Sequence, residues 1–331
     1  MEKVKIGITH GYTNGVGYEV ILKAFEESTL LELCTPIVYG SPKLASYHRK
    51  ALSLSTNFAT IQKAEEAQDG RLNLVESIRE EVKVDLGLKT PEADRATSLS
   101  IATAKRDFAE KRFDALVMAP GDKLPECDGL TLLINERARV AFATDQLSLA
   151  EVPKHISTEG MVERLVALDR TLKRDFALSG PRIALLNINP EPGREEEEIL
   201  KPAIAMATEK HISVMGPFAA DTFFSSQAYN HYDAILTMYH DQGFIPFRML
   251  TSDFAITLHI SEDAVSAAPI QTAELDKAGK GGADITSFCN AIYTVTDVLR
   301  NRENYDQVHK NTLPKLFQDK REDSKRSTLP E

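Results

Sequence analysis

The string Leu236-Thr237-Met238-Tyr239-His240-Asp241-Gln242-Gly243 sets an imidazole beside a carboxylate directly after a hydrophobic run. Such a pair can ligate a metal or exchange a proton. The carboxyl end of a buried strand is also where open α/β sheets bind ligands. A lone histidine is more often a structural hydrogen-bonder, so His240 and Asp241 are candidates by position. A second candidate lies in Val117-Met118-Ala119-Pro120-Gly121-Asp122-Lys123. There Lys123, just past a strand end, would hold a carboxylate or phosphate as a point charge, with a solvated loop lysine as the ordinary alternative. A third string, Ile8-Thr9-His10-Gly11-Tyr12-Thr13-Asn14-Gly15-Val16-Gly17-Tyr18-Glu19, reads as a strand, a Gly-rich turn and a helix start. Gly11, Gly15 and Gly17 would let backbone approach an anion closely. Their spacing is not the dinucleotide fingerprint, and an ordinary strand-to-helix turn also accounts for them. In Asn187-Ile188-Asn189-Pro190-Glu191-Pro192-Gly193-Arg194, followed by Glu195 to Glu198, acids in a first helical turn complement the helix dipole. That leaves Glu191, in the turn itself, as the acid considered for a site.

The elements that must position these residues alternate along the chain. Strands are expected at 4–9, 35–39, 114–118, 131–134, 139–144, 182–188, 234–238 and 256–260. Helices are expected at 16–27, 98–111, 159–173, 195–210 and 285–300, with Ser41 and Pro42 opening another. Residues 239–243 read as a polar turn. Strands alternating with helices of this length indicate an α/β fold with a largely parallel central sheet. The expected division is a first lobe of 1–120 with 245–309, a second lobe of 121–244, and a solvated tail of 310–331.

Composition narrows the class. The chain has 331 residues, 42% of them hydrophobic, enough apolar material for a full core. No run of about 18 apolar residues suggests a membrane span, and no secretion signal is read at the N-terminus. Cys34, Cys127 and Cys289 are odd in number and far apart, which fits a reducing cytoplasm and not a disulfide framework. Lysine and arginine total 39 against 49 acids, a net charge of −10. That balance argues against a nucleic-acid partner and leaves room for a small anionic ligand held by a few local groups.

Taken together, Ile8 to Glu19, Ala119 to Lys123, Met238 to Gly243 and Ala278-Gly279-Lys280-Gly281 resemble the 4-hydroxythreonine-4-phosphate dehydrogenase family of pyridoxal phosphate biosynthesis, PdxA. The resemblance runs from Lys5 to about Arg300. It implies a two-lobe fold of the isocitrate/isopropylmalate dehydrogenase type, and a homodimer with its site at the lobe and subunit interface. It also implies NAD-dependent oxidation of 4-phosphooxy-threonine assisted by a divalent metal. Lys123, His240 and Asp241 are kept, Arg248 stands for a substrate lysine, and Gly11, Gly15, Gly17 and Gly279 fall in the strings that would serve the cofactor.

The resemblance also implies losses. Of three metal-binding histidines only His240 matches, the others falling on Gln146 and Glu191. A Gly-His-Thr substrate loop expected between Lys123 and Arg139 has no room. A substrate asparagine falls on Ala255, an arginine on Ala264 or Ser266, and the Ser-Pro-Asp-His-Gly-Thr segment on Ala268-Pro269-Ile270-Gln271-Thr272-Ala273. The acid of the first Gly-rich turn falls on Tyr12. Three readings stay open. The foremost is a binding or regulatory protein, paired with itself or with an active paralogue. The second is an enzyme of altered chemistry, in which Asp145, Glu191, His240 and Asp241 build an oxygen-rich magnesium or manganese site. The third is weak retention of the dehydrogenase activity.

Overall fold

The computed structural model describes residues 3–124, 129–250 and 254–310. The first five strands are β1 (Val4–Thr9), β2 (Cys34–Gly40), β3 (Phe58–Ile61), β4 (Leu72–Glu76) and β5 (Ala115–Val117). They are followed by β6 (Leu130–Ile134), β7 (Arg139–Phe142), β8 (Arg182–Leu186), β9 (Ser213–Phe218), β10 (Ala234–Thr237), β11 (Ile256–Ile260) and β12 (Val265–Pro269). All twelve join one sheet in the order β3-β4-β2-β1-β5-β12-β11-β6-β7-β10-β8-β9.

Pairing is parallel from β3 through β12 and again from β7 through β9. Three antiparallel steps, β12/β11, β11/β6 and β6/β7, separate these blocks. An odd number of reversals makes the strands of the second block run opposite to those of the first. The strand ends carrying Lys123 and those carrying His240 therefore open from opposite ends of the sheet. Every residue of β2, β5, β10 and β12 is buried, as expected where both faces of a sheet are covered.

The covering helices are α1 (Gly17–Ala24), α2 (Thr29–Leu33), α3 (Pro42–Ala51), α4 (Pro91–Ala109) and α5 (Thr158–Arg174). They continue with α6 (Lys201–Glu209), α7 (Ala220–Ser225), α8 (His240–Leu250) and α9 (Thr286–His309). In α5, Met161, Val162, Leu165, Leu168 and Leu172 recur at helical spacing and are buried. Its start is fixed by the Ser157 side chain, which accepts from the Gly160 N–H.

Several boundaries differ from the sequence reading for physical reasons. The helix expected from residue 98 begins at Pro91, where Thr90 caps the Ala93 N–H and proline occupies the first helical position. Ser41 has the extended backbone of an N-cap, but its side chain makes no capping bond. Instead its N–H donates to the Tyr18 hydroxyl (3.0 Å). The helix expected over 195–210 opens with a π-helical turn, Glu196–Leu200, ahead of α6. Pro202, lacking an N–H, cannot close the α-helical bond one turn back. Residues 239–243 are no loop: α8 starts at His240. The strand expected last, β11, is followed by β12, whose run of serine and alanine carries little strand propensity. The expected tail, beyond residue 310, lies outside the described residues.

Candidate functional site

Two crevices arise from the strand order. In the first block the chain passes from β1 to β2 on one side and later places β5 on the other, so connections diverge between β1 and β5. Such a switch point leaves a crevice beyond the carboxyl ends of the two strands. Gly11 and Lys123 lie there. Lys123 is exposed and follows directly on Asp122.

The Gly-rich turn is held by its own chain. Gly11 has φ +75, and a Cβ there would lie 2.7 Å from the Pro120 carbonyl oxygen. A Cβ on Gly15 would meet the Ala273 carbonyl at 2.5 Å, and one on Gly17 would collide with the His10 carbonyl. Gly279, at φ +72, backs onto Leu86. Internal packing therefore accounts for all four glycines without a nucleotide. Asn14 stitches the turn to the segment before α4, its Nδ2 donating to Leu88 O (3.0 Å) and its Oδ1 accepting from the Asp85 N–H (3.1 Å). Beneath it, Tyr18 is stacked between His10 and His48, with ring centroids 4.9 and 5.1 Å away. Burial lowers the His10 pKa to about 3 and the His48 pKa to about 4, so both are neutral.

Asp122 joins the β5 exit to this turn. Its Oδ2 accepts from the Gly11 N–H (3.1 Å), while its Oδ1 is buried without a partner. Burial, acting against the weaker pull of Thr9 and Gly11, raises its pKa to about 7. Sequence reasoning passed over Asp122 because nothing in its spacing marks it as buried.

The second crevice lies between β10 and β8, where connections again diverge. Three strand ends adjoin there: β7 leads to Asp145 and Gln146, β10 to His240 and β8 to Glu191. The positions that the resemblance gives to three histidines thus share one strip of the sheet. His240 Nδ1 lies 3.0 Å from Asp241 Oδ1, and its ring stacks on Phe142 and Phe244 at 5.6 and 4.8 Å. Its side chain is 40% exposed. Asp145, Gln146 and Glu191 are exposed, and Gln146 takes φ +54. Arg248 is exposed in the last turn of α8.

Among the described residues, no three His, Cys, Asp or Glu side chains converge into a group that could hold a metal ion. His240, Glu191 and Asp145 therefore do not come together as a ligand set within one chain; Asp145 and Glu191 are exposed at separate strand exits. The resemblance places that metal at a subunit interface, and within one chain the described residues do not complete its site.

Two other side chains, not singled out from the sequence, organise the crevice. Gln242 accepts from the Met238 N–H (2.7 Å) and donates to Asn187 O (2.6 Å), bridging the two strand ends. The Glu196 carboxylate accepts from the N–H groups of Ile188 (2.9 Å), Asn189 (2.9 Å) and Gly193 (2.7 Å). Burial alone would raise its pKa, but these bonds outweigh burial and hold it below the ordinary value. Reading the glutamate run as dipole complement missed this. The available signal was the spacing of Gly193 and Glu196, where a third-position glutamate reaches back to the helix start.

The family model described as pyridoxal phosphate biosynthetic protein PdxA matches residues 32–125 and 121–295. A 4-hydroxythreonine-4-phosphate dehydrogenase of Bacteroides thetaiotaomicron is 40% identical over 354 aligned residues, covering 99% of this chain and 97% of the relative. One of Prosthecochloris aestuarii is 34% identical, covering 89% of this chain and 97% of the relative. Among solved structures, the enzyme of that name from Burkholderia phymatum superposes with a TM-score of 0.70 at 24% identity, covering 90% of this chain and 99% of its own. That from Klebsiella pneumoniae gives 0.72 at 22% identity, covering 90% and 98%. These two likenesses establish the α/β dehydrogenase-type fold, and the sequence matches over nearly the whole length establish that the chain belongs to the PdxA family.

Proposed function

We propose that this chain is a ligand-binding or regulatory member of the PdxA family whose oxidation of 4-phosphooxy-threonine is impaired. The observation that carries the reading is the strip of three neighbouring strand ends in the second crevice. It keeps His240 but presents Gln146 and Glu191 at the other two exits, and no metal-holding group forms among the described residues. A metal in such an enzyme polarises the hydroxyl and then the ketone oxygen. An amide is a poor replacement for an imidazole in that role. Loss of fixed donors at Ala255 and near Ser266 removes orienting contacts for an anionic substrate. Lys123 and Arg248 remain as exposed cations able to attract a phosphorylated ligand. NAD comes to this chain only through the family, since the glycines are accounted for by internal packing.

A homodimer is part of the proposal. Ile245 and Met249 on α8 and Phe254 beyond it are 56%, 83% and 40% exposed, an apolar surface a second subunit would cover. The reading with retained dehydrogenase activity is favoured by one finding, the 40% identity to a relative that carries the dehydrogenase name.

Elemental analysis tests the metal argument. Purified protein is expected to hold much less than one zinc per chain, and Gln146→His with Glu191→His is expected to raise zinc affinity by tenfold or more in about the manner that added imidazole ligands allow. Stoichiometric zinc in the unaltered protein would overturn the reading.

A further inference from the structure

A cavity of about 590 Å³, within the range of small-molecule sites, runs along α5 and is closed on its other side by the β6 and β11 ends. It lies at the Ile260–Leu130 end of these strands, away from the Ile256–Pro269 end that adjoins the first crevice. Its edge at Ala143 borders the exit of β7. No residue that the family resemblance singles out lines it.

Four guanidinium groups face this cavity: Arg164, Arg170 and Arg174 from α5 and Arg302 from α9. Against them stand Glu163, Asp175 and Glu262, so the lining carries four cationic and three anionic side chains in a chain of net charge −10. Two of the arginines are fastened in place. Arg302 donates to Asp175 (2.7 Å) and to Ser261 O (2.7 Å), and its side chain is only 9% exposed. Arg174 donates to Asp306 (2.6 Å) and to Glu262 O (3.1 Å).

The other two are differently placed. Arg164 gives one N–H to Gly129 O (3.3 Å), and Arg170 gives one to Glu262 (2.8 Å). A guanidinium carries five N–H donors. Most of those on Arg164 and Arg170 therefore have no hydrogen bond among the described residues; Arg170 is ion-paired with Glu262, and the fastened pair with Asp175 and Asp306, so an anion here would draw on unused N–H donors and not on an excess of charge. The two side chains leave the helix six residues apart, a rise of about 9 Å and a rotation of about 120° about the axis, and both line the same groove, so that each is placed to hold one anionic group of a ligand lying along it.

We propose that the α5 groove is a binding site for a small ligand bearing two anionic groups, such as a diphosphate, clamped by Arg164 and Arg170. The apolar floor at Leu130 and Ile260 would accept a non-polar portion of the same molecule. This proposal is independent of the one made for the strand-end crevices, and the controls below separate them.

The test is isothermal titration of the full chain with inorganic pyrophosphate at fixed ionic strength, with orthophosphate as the single-group comparison. Pyrophosphate is expected to bind more tightly than orthophosphate. Binding should weaken at least about tenfold in Arg164→Gln/Arg170→Gln, as expected on losing bidentate charge-assisted bonds. Ala167→Glu, which sets a carboxylate three residues from each arginine at an exposed position within the groove, should weaken it likewise by competing for both guanidinium groups. The same tenfold loss should appear in a Lys123→Gln/Arg248→Gln background, which removes whatever the strand-end crevices bind. Absence of binding up to millimolar pyrophosphate would overturn the proposal. So would binding that, in that background, survives both groove variants or is already lost.

Discussion

At the scale of single residues, three buried titrating groups make stability depend on pH in opposite senses. His10 and His48 have folded pKa values of about 3 and about 4, below the unfolded value. The unfolded chain therefore binds more protons, and stability is lost as pH falls from about 6.5 towards those values. Asp122 is raised to about 7, so its contribution is full below the unfolded value near 4 and is lost as pH rises to about 7. Asp122→Asn removes that slope while keeping an acceptor for the Gly11 N–H. Urea unfolding from pH 4.5 to 8 is expected to show the variant gaining on the unaltered protein by up to about 1.4 kcal/mol per pH unit, then levelling off above pH 7. A difference independent of pH would show that Asp122 ionises freely in the folded chain. The His240-Asp241 pair was legible from its neighbours in the sequence, and so was the position of Lys123 past a strand. Asp122 and Gln242 were not, because what marks them is the backbone groups that face them in the fold, and no local pattern records that; Glu196 was marked by its spacing from Gly193 and by nothing else in the sequence.

At the scale of elements, the alternation of apolar runs and amphipathic stretches exposed most of the strands, as well as α5 and α9, because buried parallel strands and two-sided helices each impose their own period. What stayed hidden has local causes. Short β3 and β4 are bounded by polar residues, β12 is built of small side chains, and a helix beginning at His240 looks like a turn when read by its Asp, Gln and Gly. The loop from β8 to the π-helical turn depends on one carboxylate. Glu196→Ala would leave the N–H groups of Ile188, Asn189 and Gly193 without their acceptor, at a loss of about 2–4 kcal/mol by the usual value of hydrogen bonds to a charged group. Urea midpoints check the loss, and amide exchange should show faster turnover confined to 188–193. Glu196→Gln, retaining one acceptor oxygen, should fall between. Equal stability of Ala and Gln variants would mean that the loop is held by something else.

At the scale of the whole molecule, two parallel blocks of opposite direction put the Lys123 crevice and the His240 crevice at opposite ends of one sheet. A site drawing on both is most simply assembled from two subunits, in keeping with the proposed dimer. Light scattering at micromolar concentration should give twice the 36.7 kDa chain mass, and Met249→Glu on the exposed face of α8 should shift it towards one. A monomer in the unaltered protein would remove the dimer from the account and leave the fold untouched. In the proposed function the scaffold has outlived the parent chemistry, and turnover measures whether it has. Formation of NADH from 4-phosphooxy-threonine should be followed with magnesium, manganese or zinc supplied in turn. On the proposed reading two of the three implied histidines are replaced and the implied orienting donors are absent, and misplacement of the reacting hydroxyl by about 1 Å would by itself remove about a hundredfold in rate. The expected result is turnover at least that far below the ordinary enzyme rate of about one per second, with each metal. Turnover near one per second with any of them would contradict the account.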